Sequence, residues 1–271
     1  MSALATSFPA ELKVHVLLGD APHYRGSIHD DAVARARGYK AALVPGAFVY
    51  GHMSRLAIEA WGQDWAERGA MSARFRRPVY NHENITVSAG PLLDEDGAQK
   101  AMVVVRNGDA EEVAEGWIAL PHRAPEPPED GAVKLLPMLD NPPVIAAGGL
   151  QAGLPLRSRE RVLTEEAFET SLADFGETHG LYRDPGFVHS GMLMRLAMGD
   201  TNSTWKLPGP FVLVSTETQH FGLVCPGQQI RVGGEVVETF ERKGRHYLVS
   251  EEYMFADGKI AARFRRTQIY G

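Results

Sequence analysis

Cysteine is nearly absent: of 271 residues only Cys225 carries a thiol. A single thiol excludes an internal disulfide framework and any cysteine-rich structural zinc site. Long hydrophobic runs are lacking too. The longest uncharged stretch, Asn141 to Leu156, is broken by prolines and glycines. It falls short of the ~20 apolar residues that a membrane-crossing helix needs, so no membrane partner is expected. Positive charge is not in excess. The net charge is −6, which argues against a nucleic-acid partner. The first residues, MSALATSFPAELKVH, show no basic stretch followed by an apolar core. The chain therefore reads as cytoplasmic rather than secreted. Also missing are a Gly-rich phosphate loop between strand and helix, His-x-x-x-His or Cys-x-x-Cys spacings, Gly-x-Ser-x-Gly, and a cysteine-nucleophile motif. No cofactor and no metal are expected.

What is present is globular. Hydrophobic residues make up 44% and charged residues 23%, which excludes disorder as the overall state. Proline is concentrated in one place. Eight prolines (121, 125, 127, 128, 137, 142, 143 and 155) fall between Pro121 and Pro155. Proline locks φ and removes a donor, so 121–155 reads as an extended linker between an N-terminal half, 1–120, and a C-terminal half, 156–271.

The two halves repeat a block order. Each starts with a strand-like run, Leu12–Leu18 and Leu156–Leu163. A short helix with acidic residues in its first turn follows, HDDAVARA from His29 and TEEAFETS from Thr164. Next come a Pro-Gly corner and, six residues after its proline, a glycine: Pro45 and Gly51, Pro185 and Gly191. An apolar helix begins there, FVYGHMSRLAIEAW or FVHSGMLMRLAM. Strand-like segments close each half: ARFRRPVY, NITVSAG, QKAMVVVRN and EEVAEGWIAL, then PFVLVSTETQHF, QQIRVGGEVVETF, RHYLVSEEYMF and KIAARFRRTQIY. Several alternate as a sheet with one covered face does. The simplest packing is α+β: two antiparallel sheets, each wrapped around a central helix, pairing through their sheets.

This order, with IHDDAVARARGYKAALVPGAFVYGHM in the first half and PGFVHSGML in the second, resembles the MaoC-like hydratases and dehydratases of the hotdog superfamily. The likeness covers both halves and implies a double hotdog. In the family pattern His29 takes the histidine, Asp31 the aspartate after it, Tyr39 the aromatic and Gly51 the glycine opening the central helix. The family's catalytic aspartate, five residues before the histidine, is replaced by Tyr24, and its Asn-Pro pair by Gly26-Ser27. A second register, through Asp20 and His23, fits the spacing less well.

The resemblance implies addition of water to, or its removal from, a 2-enoyl/3-hydroxyacyl group on coenzyme A or a carrier protein. That chemistry needs a base for water and donors for the enolate oxygen. Histidine suits the first, because its pKa lies near working pH. His29 is the expected catalytic base, with Tyr24 and Asp31 as further catalytic candidates. A helix N-terminus suits the second, and Gly51 and Gly191 are the expected oxyanion donors there. Tyr50, His52 and His189 are candidates for substrate contact, and Asp184 is a weaker one. Thr164 aligns with His29, so one active site is expected, with the second half as scaffold and acyl-pocket wall. Met192, Leu193, Met194 and Met198 read as core. The repeated ARFRR, Ala73–Arg77 and Ala262–Arg266, reads as a solvated strand face, or as a cradle for coenzyme phosphates. Three other readings stay open: an enzyme acting on a non-thioester substrate, a thioesterase, and a non-catalytic acyl-binding or partner protein. Homodimerisation is also left open.

Overall fold

The computed structural model describes residues 8, 10–19, 24–129, 131–184 and 186–271. The first half runs β1 (Ala10–His15), α1 (Asp31–Ala36), α2 (Gly46–Trp61), α3 (Gln63–Arg68), β2 (Ala70–Phe75), β3 (Asn84–Ala89), β4 (Leu93–Glu95), β5 (Ala98–Asn107) and β6 (Glu112–Pro121). The second runs β7 (Arg161–Val162), α4 (Glu165–Phe175), α5 (Ser190–Ser203), β8 (Val212–His220), β9 (Gln229–Arg242), β10 (Arg245–Ala256) and β11 (Lys259–Tyr270).

The strands form one 11-stranded sheet in the order β1-β3-β5-β6-β2-β8-β11-β10-β9-β7, with β4 added beside β5. At its middle β2 pairs antiparallel with β8, from Ala70 opposite Gln219 to Arg74 opposite Ser215. Outward from that seam one half runs β2-β6-β5-β3-β1 and the other β8-β11-β10-β9-β7. The α+β architecture is therefore as expected, with the two expected sheets fused edge to edge. Fusion gives the seam strands a neighbour on both sides and removes two exposed edges.

Local chemistry explains the elements. Eleven of the sixteen residues of α2 are buried, the signature of a helix apolar nearly all round. The Thr164 hydroxyl caps α4 by accepting from the Ala167 amide at 3.1 Å, and Gly176 ends that helix at φ 59°. The hairpin turns Lys243-Gly244 and Asp257-Gly258 have positive φ at both residues, as tight two-residue turns require.

Several expectations need correction. Gly51 does not open α2. That helix starts at Gly46 behind Pro45, whose fixed φ suits a helix start, and Gly51 is its sixth residue. Leu156–Leu163 is strand only at Arg161–Val162. The backbone before that bonds in two directions, Leu156 N–H to Gly234 and Ser158 N–H to Leu136, so no single ladder forms. The run ARFRRPVY leaves the sheet after Phe75. Beyond Pro121, which ends β6, the proline-rich stretch has isolated bridges but no helix or strand among the described residues. It is nonetheless packed at its far end, where Leu150 joins Leu156, Trp205, Val236, Leu248 and Tyr270 in a small satellite core.

The main core is continuous across both halves and includes Phe48, Met53, Ile85, Val103, Ile118, Phe175, Leu193 and Phe264. Helices α2 and α5 cross at its centre, glycine to glycine. A Cβ on Gly191 would lie 3.0 Å from the Gly51 Cα, and one on Gly51 would lie 2.3 Å from the Phe175 ring. Both glycines thus serve close packing.

Candidate functional site

The loop before α1 is wound by its own side chains. Ser27 Oγ donates to the Tyr24 carbonyl at 2.6 Å and accepts from the His29 amide at 3.1 Å. Asp30 caps α1, accepting from the Ala32 amide at 2.9 Å and the Gly26 amide at 3.2 Å. This winding sets the Tyr24 and His29 rings edge to face, with centroids 5.5 Å apart.

His29 Nδ1 lies 2.6 Å from the Leu43 carbonyl oxygen. A carbonyl only accepts, so Nδ1 carries the proton of the neutral ring and Nε2 the lone pair. The bond fixes ring and tautomer together, as a general base requires. Around it is a pocket of about 230 Å³ lined by Leu18, Gly19, Tyr24, Arg25, His29, Asp30, Asp31, Ala42 and Asn81. The three expected catalytic residues, His29, Tyr24 and Asp31, therefore share one pocket.

Their settings differ. Asp31 is engaged structurally: Oδ1 accepts from the Ala42 amide at 2.7 Å and Oδ2 from Arg35 at 3.1 Å. These bonds, the amide first, hold its carboxyl below the usual range. Tyr24 is nearly buried, which pushes its hydroxyl above the ordinary pKa, while the Arg195 guanidinium opposes that rise. Arg195 Nη2 donates to the Tyr24 oxygen at 3.4 Å, and Nη1 to Asp174 Oδ2 at 2.8 Å. Sequence reasoning missed Arg195 and Asp174. The signal was there in the matched spacing of Gly51 to Arg55 and Gly191 to Arg195.

The other expected site residues form a second, buried group at the helix crossing. Tyr50 Oη bonds Ser190 Oγ at 2.8 Å, and Ser190 Oγ bonds His220 Nε2 at 3.0 Å. His189 caps α5, its Nδ1 accepting from the Gly191 amide at 3.0 Å. The Gly191 amide is thus engaged, and the Gly51 amide is inside a helical ladder. Neither offers the open helix-start donor expected of it. Burial lowers the pKa of His52 and His220 to about 4 and of His189 to about 3, so all three are neutral near pH 7. Asp184 is not among the pocket's lining residues. Pro185, Asp20 and His23 lie outside the described residues.

No protein-family model matches the sequence, and no curated protein matches it. Solved structures do match. A protein described as a MaoC domain protein dehydratase from Chloroflexus aurantiacus is 15% identical, with a TM-score of 0.64 over 98% of this chain and 95% of that one. A conserved protein of Mycobacterium tuberculosis, described as having a double hotdog fold, is 17% identical, with a TM-score of 0.65 over 98% and 97%. This chain is a double hotdog. The fold resemblance to MaoC-like proteins expected from the sequence is therefore borne out in three dimensions. A protein described as an oleoyl thioesterase from Lactobacillus plantarum shares the double hotdog more loosely, at 8% identity and a TM-score of 0.52 over 98% of each chain. At such identities the likeness shows the fold and leaves the chemistry to the residues.

In this double hotdog the counterpart of the His29 region carries no histidine, since the Thr164 side chain caps α4. No group of three or more His, Cys, Asp or Glu among the described residues could hold a metal ion. Among the described residues no helix is long and apolar enough to cross a membrane.

Proposed function

We propose that the chain is an acyl-thioester hydratase or dehydratase, adding water to a 2-enoyl group or removing it from a 3-hydroxyacyl group carried on coenzyme A or a carrier protein. The observation that carries this reading is the His29 pocket: an imidazole tied through Nδ1 to the Leu43 carbonyl, with the Tyr24 ring edge to face against it. The dehydratase descriptions of its structural neighbours agree with it. The N-terminal half supplies the reacting groups and the pocket lining, and the expected acyl-pocket wall from the second half is replaced by a contact of Arg195 with the Tyr24 oxygen.

In hydration, His29 Nε2 takes a proton from water, and the water oxygen bonds to C3. The C2=C3 electron pair moves through C1 onto the thioester oxygen. The Tyr24 hydroxyl donates a hydrogen bond to that oxygen. The imidazolium then returns a proton to C2, so one water has been added and His29 is restored. Dehydration is the reverse. A pocket of about 230 Å³ takes the reacting end of such a substrate, with the carrier outside.

The test is hydration and dehydration of short- and medium-chain thioesters by wild type and His29→Ala. The variant is expected to lose about 10² or more in kcat/KM with folding intact. Wild-type protein that is folded yet inactive in both directions overturns the reading. Release of free thiol from the same substrates would instead favour a thioesterase.

A further inference from the structure

Arg195 and Asp174 belong to the second half, yet they border the pocket of the first. Arg195 lies on α5, four residues after Gly191, with its side chain 18% exposed. Its guanidinium stands 4.8 Å over the Phe48 ring and reaches Asp174 on one side and the Tyr24 oxygen on the other. Asp174 lies close behind the lining: a Cβ on pocket-lining Gly19 would come 3.9 Å from its Oδ1.

Three arguments converge. A guanidinium has donors only, so the contact makes the phenol oxygen an acceptor there and leaves the phenol its donor role in other contacts. The central-helix glycines present no open amide, so the oxyanion needs a donor from elsewhere. The matching arginine of the first half is committed: Arg55 lies 3.3 Å from Glu177, whose side chain is 2% exposed. Of the two matched arginines, Arg195 is the one placed beside Tyr24.

We propose that Arg195, anchored by Asp174, is the positioning residue of the His29 pocket, holding Tyr24 as the hydrogen-bond donor to the enolate oxygen. This rests on the hydratase or dehydratase reading above. The phenol keeps its proton throughout, so the balance of that reaction is unchanged. The site is then built from both halves, with the base from one and the support for its donor from the other.

The test uses the full chain with [13Cζ]tyrosine, the Tyr24 signal being assigned by Tyr24→Phe. In Arg195→Met the Tyr24 signal is expected to begin titrating at higher pH than in wild type, and Arg195→Lys is expected to restore part of the difference. Arg195→Gln gives the same reading if the methionine variant does not fold. In the hydration assay Arg195→Met is expected to lower kcat about 10- to 100-fold with little change in KM. The double variant with Tyr24→Phe should be no worse than Tyr24→Phe alone. A Tyr24 titration unmoved in folded Arg195→Met overturns the proposal, as do losses that simply multiply in the double variant. A shifted titration with inactive wild type supports the Arg195–Tyr24 coupling and overturns the hydratase reading instead.

Discussion

The two halves share a strand order but not an interior. The inward face of the first-half sheet is aliphatic: Ile85 and Val87 on β3, Ala101, Val103 and Val105 on β5, and Ile118 on β6 are all buried. The matching face of the second half is mixed, with polar groups set among apolar residues such as Val232, Met254 and Phe264. Thr216, Thr218 and His220 on β8, Ser250 and Glu252 on β10, and Arg266 and Gln268 on β11 are buried there. Equal topology thus coexists with two different energetic solutions. The first half is held by apolar burial, and the second by apolar burial together with buried polar groups that need partners. The His29 pocket is lined by the first half, and the second supplies Arg195, held by Asp174, to the oxygen of pocket-lining Tyr24. Pseudo-symmetry in a sheet therefore constrains where elements go and says little about which side chains do chemistry.

The sharpest break of this comparison is at Arg266. Its guanidinium is fully buried and donates through Nε to both Glu252 oxygens at 3.1 Å, and Ser250 Oγ donates to Glu252 at 2.7 Å. Arg266→Met strands a buried carboxylate. It is expected to cost about 3–5 kcal/mol in urea unfolding. Replacing both partners by apolar residues, Glu252→Leu with Arg266→Met, should recover most of that, because no charge is left unpaired. A double variant as unstable as the single one would mean that the second half tolerates no aliphatic interior.

The repeat, both central helices and nearly every strand were legible in the sequence, because hydrophobic alternation and the Pro-to-Gly spacing are local signals. The cluster of Tyr24, His29 and Asp31 was legible for the same reason, since all three lie within one turn and its following helix. What failed was non-local. The start of α2 depends on Pro45 rather than on the glycine six residues later. Arg266 shares the inward face with Phe264, and nothing in ARFRR says that Glu252 of the neighbouring strand lies beside it. Arg195 and Asp174 are far from Tyr24 in sequence, and only the crossing of α5 beside the loop brings them together.

Acid sharpens the comparison next. His52, His189 and His220 sit at the meeting of the halves, with His52 Nδ1, His189 Nε2 and His220 Nδ1 lacking hydrogen-bond partners. Their folded pKa values, about 4, 3 and 4, lie below the unfolded value of 6.5. Below pH 6.5 the unfolded chain takes up protons that the folded chain refuses, so stability is full above that value and falls as pH drops toward 4. Each histidine contributes a slope of up to about 1.4 kcal/mol per pH unit in that window. Urea midpoints from pH 7.5 to 4.5 should show the fall, and His220→Gln should reduce its slope by one proton's worth. A flat profile would mean that the crossing opens and hydrates without cost.

The smallest effect is expected where the same five residues, ARFRR, fall in the first half. Arg76 there pairs with Glu115, but both are solvated, with side chains 44% and 31% exposed. An exposed pair gains little Coulomb energy in water, is screened by salt, and gives up side-chain entropy to stay together. Arg76→Met should therefore leave the melting temperature almost unmoved, and added salt should erase what difference remains. Set beside Arg266→Met, the result compares a solvated Arg–Glu pair just past the end of β2 with a buried one inside β11. A loss at Arg76 comparable to that at Arg266 would mean that the first half also depends on a matched charge pair, and the contrast between an aliphatic and a mixed interior would fail.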